Sequence, residues 1–326
     1  MVNPGGSPTM TLYITCDQAT TYSVEIYGGA LVQSGSIAAG QVVTAIVPAT
    51  YFINDEGTFT KKTIHITSAR AVVVYAYITR SQASGATLCL PVQDLGKEYY
   101  SMNFTQVSNE PNSNSYITIV AVEDNTTVEI TPSAATKGGK PANVPFTVNL
   151  NKGDIYQVLG ALNATNPNIG ADLTGTHIRS IASGTGSCKR IAVFSGSGKV
   201  RIPQSCNASS SDNLFQQLYP TGSWGLKYLT VPSYNNPNNY YRIAKSNPAA
   251  NVYVNGVLVP SSQFINGIWY EFFNNTPNLI ESDLPVSVAQ YFTTQGCDHN
   301  GAPYDPDMIM LNPVEQNIDN VTLVSS

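Results

Sequence analysis

Apolar and polar residues alternate with period two along most of this chain. Tyr22-Ser23-Val24-Glu25-Ile26 and Thr127-Val128-Glu129-Ile130 are the clearest runs. That period places one face of a strand on a core and the other in solvent. Val72-Val73-Val74 is continuously apolar, which predicts a strand covered on both faces. Gly, Pro, Asn, Ser and Thr punctuate these short runs, and no long stretch carries a helical stripe. Short 3₁₀ turns are expected after the prolines, as in PVQDLG (91–96).

The strand pattern recurs three times. Residues 66–77 (ITSARAVVVYAY) align without a gap with 280–291 (IESDLPVSVAQY), pairing Ile66 with Ile280, Ser68 with Ser282, Val74 with Val288 and Tyr77 with Tyr291. IASGTGSCKRIAVFSG (181–196) is a third copy with extra residues after Ser183. Each copy is preceded by a strand–turn–strand unit (12–26, 117–130, 240–254) in which Asp17, Asp124 and Asn247 mark the turn, as short side chains that bond nearby backbone do. A glycine-led strand follows (39–47, 152–159, 266–273), and each copy closes around a proline, Pro91, Pro220 or Pro313. Recurrence on this scale means one module copied in tandem.

The expected fold is therefore all-β: three tandem pseudo-repeated antiparallel β-sandwich modules at 10–104, 115–231 and 239–326, after an N-terminal extension at 1–9. A single propeller-like β assembly is the alternative. The third copy ends in phase with the others, so the chain reads as a piece of a longer protein. MVNPGGSPTMT has neither the basic start nor the apolar core of a signal peptide. Long insertions at 131–150 and 160–176 in the middle copy are the expected places for partner-specific loops.

Charged residues make up only 11% of the chain, against about 25% in ordinary globular proteins. Solubility then rests on Asn, Ser, Thr and Gln, a secreted or cell-surface composition. The net charge of −5 comes without a block of like charges, which argues against a nucleic-acid partner. No apolar run is long enough to span a bilayer as a helix. Asn-X-Ser/Thr sequons occur at Asn103, Asn125, Asn163, Asn207, Asn274 and Asn320.

Five cysteines are present and none forms Cys-X-X-Cys, which disfavours zinc. A Cys188–Cys206 disulfide bracing the long middle loop is expected, and Cys16–Cys89 would do the same in the first module, leaving Cys297 odd. CDHNGAPYDPD (297–307) offers carboxylate oxygens from Asp298, Asp305 and Asp307 as a calcium candidate, against the plainer reading of an Asp/Asn/Pro/Gly turn. No other cofactor is expected. GSGKV (196–200) lacks the first glycine and the Ser/Thr of a phosphate loop and reads as a turn between strands. His65 and His177 occupy similar strand positions, and no Ser or Cys recurs beside them, so no catalytic residue is assigned. Tyr99, Tyr100, Tyr228, Tyr240, Tyr241 and Tyr270 cluster at module edges, where they either grip a partner or cement the modules.

Taken in order, ITSARAVVVYAY with LCLPVQDLGKEYY, IVAVEDNTTVEI, RIAVFSGSGKV, SDNLFQQLYPTGSWGLKYLTV and DPDMIMLNPVEQ resemble the N-terminal domain of the IgG Fc-binding proteins. The resemblance covers nearly the whole chain. It implies an extracellular, non-enzymatic binding or adhesion module of a larger surface or secreted protein, with a protein or glycan partner and neighbouring domains of the same chain. A structural subunit or spacer of a surface filament, stalk or matrix is the alternative. The Asn-rich, cysteine-poor style is closer to bacterial members of the family, such as those of the Bacteroidota, than to animal ones. Lys199 stands where cysteine is expected in animal members, so their disulfide pattern is not carried over.

Overall fold

A computed structural model describes residues 8–182, 186–234, 238–297 and 305–316. The first repeat contributes β1 (Thr9–Thr15), β2 (Thr20–Ile26), β3 (Leu31–Ile37), β4 (Val42–Val47), β5 (Gly57–Phe59), β6 (Ile64–Ser68), β7 (Val73–Arg80) and β8 (Ala83–Leu88). Next come β9 (Glu98–Tyr100), β10 (Ser115–Ala121), β11 (Thr126–Thr131), β12 (Phe146–Leu150), β13 (Ile155–Leu159), β14 (His177–Ile181), β15 (Ile191–Val200) and β16 (Asp212–Gln217). The last group is β17 (Gly225–Thr230), β18 (Asn239–Lys245), β19 (Val252–Val254), β20 (Val257–Leu258), β21 (Trp269–Asn274), β22 (Asn278–Tyr291) and β23 (Met308–Met310).

The fold is all-β and every pairing among these strands is antiparallel. The expected alternation is present: β2 buries Tyr22, Val24 and Ile26, and β11 buries Val128 and Ile130. The described 3₁₀ turns each follow a proline, at 49–51, 92–94, 221–223, 261–263 and 314–316. Among the described residues four of the five sheets have four or more strands, and the arrangement is the four-blade, propeller-like one carried above as the alternative.

The repeated segment has one structural job. In the first copy it is β6 followed by β7, which lie in different sheets, β3-β2-β6 and β4-β1-β7-β8. In the second it is β14 and β15, again in different sheets, β12-β11-β14-β9 and β16-β15-β10-β13-β5. In the third it is the single strand β22, whose first half pairs with β19 and β17 and whose second half pairs with β18 and β23. Each copy thus carries the chain from one layer to the other. One core is shared by Leu12, Ile14 and Ala76 from the first layer and Val24 and Ile26 from the second. A larger core joins Ile117, Ile119 and Val193 to Val128 and Ile178 and extends to Tyr240, Ala244 and Tyr291. Ile243, Val252, Ile280 and Val288 form a third.

Strand pairing runs across the sequence bounds at 104 and 231. β9, which follows Pro91, pairs with β14, and β17, which follows Pro220, pairs with β22. The strand after each of these prolines is therefore built into the sheet of the next repeat. β5 likewise leaves the first copy to pair with β13. Where β8 meets β16, Ser84 N donates to Asp212 Oδ1 (2.6 Å), Leu90 N to Gln217 Oε1 (2.9 Å) and Gln216 Nε2 to the Ala86 carbonyl (2.8 Å).

Arg242 on β18 fastens the third copy to the second. It is 1% exposed. Its guanidinium donates to Asp172 (2.8 Å), Glu271 (2.8 Å), the Asn103 carbonyl (2.8 Å) and Thr174 Oγ1 (2.6 Å). The rings of Phe104 and Trp269 lie 4.3 and 4.2 Å from its central carbon. Asp172 and Thr174 belong to the insertion 160–176, so this part of the expected partner loop is packed inward. GSGKV is not a turn. It is the end of β15, with a register shift between Ser197 and Val200, and Lys199 pairs with Glu110 (3.2 Å) beside Arg80.

Candidate functional site

The third repeat presents an open apolar sheet face. Directly opposed residues of an antiparallel pair share a face. The registers Tyr228↔Ile280 and Val254↔Ile280 put the buried side chains inward. The alternate positions, Leu229↔Leu279, Lys227↔Glu281, Tyr253↔Glu281 and Tyr253↔Leu258, then form the outer face. Leu229 is 63% exposed, and Val231 and Tyr234, just beyond β17, are 70% and 84% exposed. Lys227 and Glu281 form an ion pair (2.9 Å) within this face.

The tyrosines singled out from sequence do not supply this face. Tyr99, Tyr228, Tyr240 and Tyr241 are buried and Tyr100 and Tyr270 half-buried; they cement the sheets. The signal that marks the outer face is the alternation in Leu226–Val231, read against a strand whose inward residues are Tyr228 and Thr230.

The cysteine pairing differs from expectation. Cys206 is bonded to Cys297, while Cys188, Cys16 and Cys89 are free thiols. The expected Cys188–Cys206 and Cys16–Cys89 bonds are thus replaced by one bond between the second and third copies. A reciprocal pair of hydrogen bonds sets this proximity: Ile202 N donates to the Thr294 hydroxyl Oγ1 (2.8 Å) and Thr294 N to the Ile202 carbonyl (2.8 Å), bringing the two post-strand segments side by side.

Of the calcium candidates, Asp298 lies outside the described residues. Asp305 is exposed, and Asp307 accepts from Met308 N (2.7 Å). Both sit close enough to the buried Asp212 to raise its pKa. Among the described residues, no three His, Cys, Asp or Glu side chains gather closely enough to hold a metal. Burial pushes the Asp212 carboxyl up to about 7, opposed by N–H donors from Asn213 and Ser84 and reinforced by Asp305 and Asp307. Loss of solvent likewise pushes Asp307 up to about 6.

Because the folded state disfavours ionised Asp212, its penalty is absent below the unfolded carboxylate range, grows as pH rises toward about 7 and is level above it. Asp212→Asn keeps an acceptor for Ser84 and Asn213 and removes the charge. It is expected to stabilise the protein by roughly 3 kcal/mol at pH 8 and by less than about 1 kcal/mol at pH 4. Urea melts at the two pH values check this, and equal effects at both would refute it.

His65 Nδ1 lies 2.8 Å from Glu25 and His177 Nε2 2.7 Å from Glu98, with Tyr100 stacked on the His177 ring. Both histidines are thus engaged by a carboxylate from a neighbouring strand. Among the sequons, Asn103 is fully buried and bonds to the Tyr116 and Gly196 carbonyls, so it carries no glycan in this fold. Asn125, Asn163 and Asn207 are exposed and Asn274 half-buried, and Asn320 lies outside the described residues.

Among the described residues, no helix is long and apolar enough to cross a membrane. The disulfide fits an oxidising compartment. No curated protein and no solved structure shows significant similarity to the chain. The family model described as IgGFc binding protein matches residues 85–326, well over half of the sequence, and the chain therefore belongs to the IgGFc-binding protein family.

Proposed function

We propose that this chain is an extracellular, non-enzymatic module that binds a protein partner through the outer face of its third repeat. The observation that carries this reading is the exposed apolar pair Leu229 and Val231, with Leu279, Tyr253 and Leu258 on the same face across β22, β19 and β20. Isolated exposed apolar residues are ordinary, but a contiguous group on one sheet face marks an interaction site. Family membership favours a protein over a glycan partner, and IgG Fc is the first ligand to test.

Leu229→Lys with Tyr253→Lys should abolish capture of the partner while leaving the melting temperature within a few degrees, since both side chains point away from the core. The measurement is capture on the immobilised protein, first of purified Fc and then of secreted and surface proteins of the source organism. A partner held equally by wild type and the double variant would remove this face from the proposal. The alternative role, a structural subunit of a filament or matrix, draws support from the edge strand β6, which among the described residues pairs with β2 alone.

A further inference from the structure

The same segment performs the same task twice. Pro91–Tyr99 (PVQDLGKEY) and Pro220–Tyr228 (PTGSWGLKY) share the spacing Pro-x4-Gly-x2-Tyr. In the first, Tyr99 Oη accepts from Gly96 N (2.8 Å) and donates to the Ile191 carbonyl (2.8 Å). In the second, Tyr228 Oη accepts from Gly225 N (3.1 Å) and donates to the Val286 carbonyl (2.6 Å). Tyr99 stands opposite Ile178 and Tyr228 opposite Ile280. The glycines are required by what lies over them. A Cβ at Gly96 would stand 2.2 Å from the side chain of Pro220, and one at Gly225 would stand 2.2 Å from that of Pro313. Each repeat's glycine is thus covered by the proline of the next repeat.

The first repeat has the receiving half of this device without the strand. Val24, Val128 and Val252 are equivalent, and they face Ile66, Ser180 and Ser282; strand register thus matches Ile64, not Ile66, with Ile178 and Ile280, which moves the gap-free sequence alignment of this strand by two residues. β14 lies between β11 and β9, and the first half of β22 lies between β19 and β17, whereas among the described residues β6 pairs with β2 alone. Tyr27 N donates to the Thr63 carbonyl and Ala69 N to the Thr21 carbonyl. Antiparallel alternation then turns the N–H and C=O of Ile64 and Ile66 away from β2, toward the open edge. In the second repeat the N–H equivalent to that of Ile66 belongs to Ser180, and it donates to the Lys97 carbonyl of the arriving segment (2.7 Å). Pro91 is the equivalent of the covering prolines. Between 64 and 68 the edge has no proline or lysine, the usual guards against strand addition.

We infer that the β6 edge, with Pro91, is a docking site for an extended strand of Pro-x4-Gly-x2-Tyr chemistry presented by a partner protein carrying a repeat of this kind. The strand would add antiparallel to β6, its tyrosine opposite Ile64 and its glycine under Pro91. The chain's own third proline segment is a poorer occupant, because Ile318 and Val321 hold the glycine and tyrosine positions. Strand addition of this kind takes its affinity from main-chain hydrogen bonds and its specificity from the alternate side chains.

The test is titration of the intact protein with a synthetic peptide of residues 219–231, read by calorimetry and by hydrogen exchange. Binding should slow exchange at the N–H groups of Ile64 and Ile66. Tyr228→Ala in the peptide should weaken binding at least about tenfold. Ile66→Pro in the protein, which removes an N–H that β2 does not use, should do the same, with circular dichroism confirming the fold. Absence of binding at about 1 mM peptide, equal binding of a scrambled peptide, or altered exchange at β22 in place of β6 would overturn the inference. So would concentration-dependent self-association, seen by light scattering, that is abolished by deleting 317–326, which would assign the edge to a second copy.

Discussion

Arg242→Met is expected to destabilise the protein by about 3–5 kcal/mol, the cost of leaving a buried carboxylate without its partner. Asp172 and Glu271 both turn toward this one guanidinium, and the carbonyl of Asn103 accepts from it as well. Burial by itself raises the Asp172 pKa, but Arg242 and the donors of Thr174 outweigh it and hold the carboxyl below its usual range. Asp172 therefore contributes stability above the unfolded carboxylate pKa and loses it as pH falls through the folded value. Arg242→Lys keeps the charge, yet a single ammonium cannot reach both carboxylates and the carbonyl in the plane between Phe104 and Trp269. It should fall between the wild type and Arg242→Met. The neutral triple variant R242M/D172N/E271Q should recover most of the loss, because a buried ion pair adds little over a well-packed neutral set. Urea unfolding of the four proteins provides the comparison. A triple variant as unstable as Arg242→Met would show that the guanidinium's packing, and not the charge balance, holds the second and third repeats together.

Local pattern made the repeats legible, and non-local pairing hid the rest. Alternation in residues 22–26 and 127–130 identifies strands and their buried faces, because a side-chain period of two needs no knowledge of the partner strand. The same alternation in 225–230 reveals that β17 is a strand but not that its neighbour is β22. Sheet membership is fixed by contacts made far along the chain. Arg242 carries a signal in its own strand. It shares a strand face with Tyr240 and Ala244, both buried, so its charge had to find internal partners. Nothing near it in sequence names Asp172, 70 residues away. Tyrosine content does not reveal the outer face of the third repeat, because register decides orientation: Tyr228 faces inward and its neighbour Leu229 faces out.

Breaking the Cys206–Cys297 bond is expected to cost about 2–4 kcal/mol, since the bridge closes a loop across a separation of 91 residues. Cys297→Ser and Cys206→Ser/Cys297→Ser should be equally destabilised, and reduction of the wild type should bring it to the same level. Cys188→Ser should leave stability nearly unchanged, because Cys188 is a partly exposed free thiol in the connection between β14 and β15. Non-reducing proteolysis and mass spectrometry decide the pairing directly: the linked peptides should contain Cys206 and Cys297, in the wild type and in Cys188→Ser alike. A Cys188–Cys206 peptide would restore the pairing inferred from loop length. That inference fails here because cysteine spacing alone does not fix connectivity. Proximity is set instead by the hydrogen bonds between Ile202 and Thr294, which lay the segment after β15 against the segment after β22. The bond therefore joins two repeats at corresponding points of their sequences, and its loss should loosen the contact between the second and third repeats before it affects the first. Hydrogen exchange after reduction should show this order, with β22 and β23 losing protection while β1 and β7 retain it.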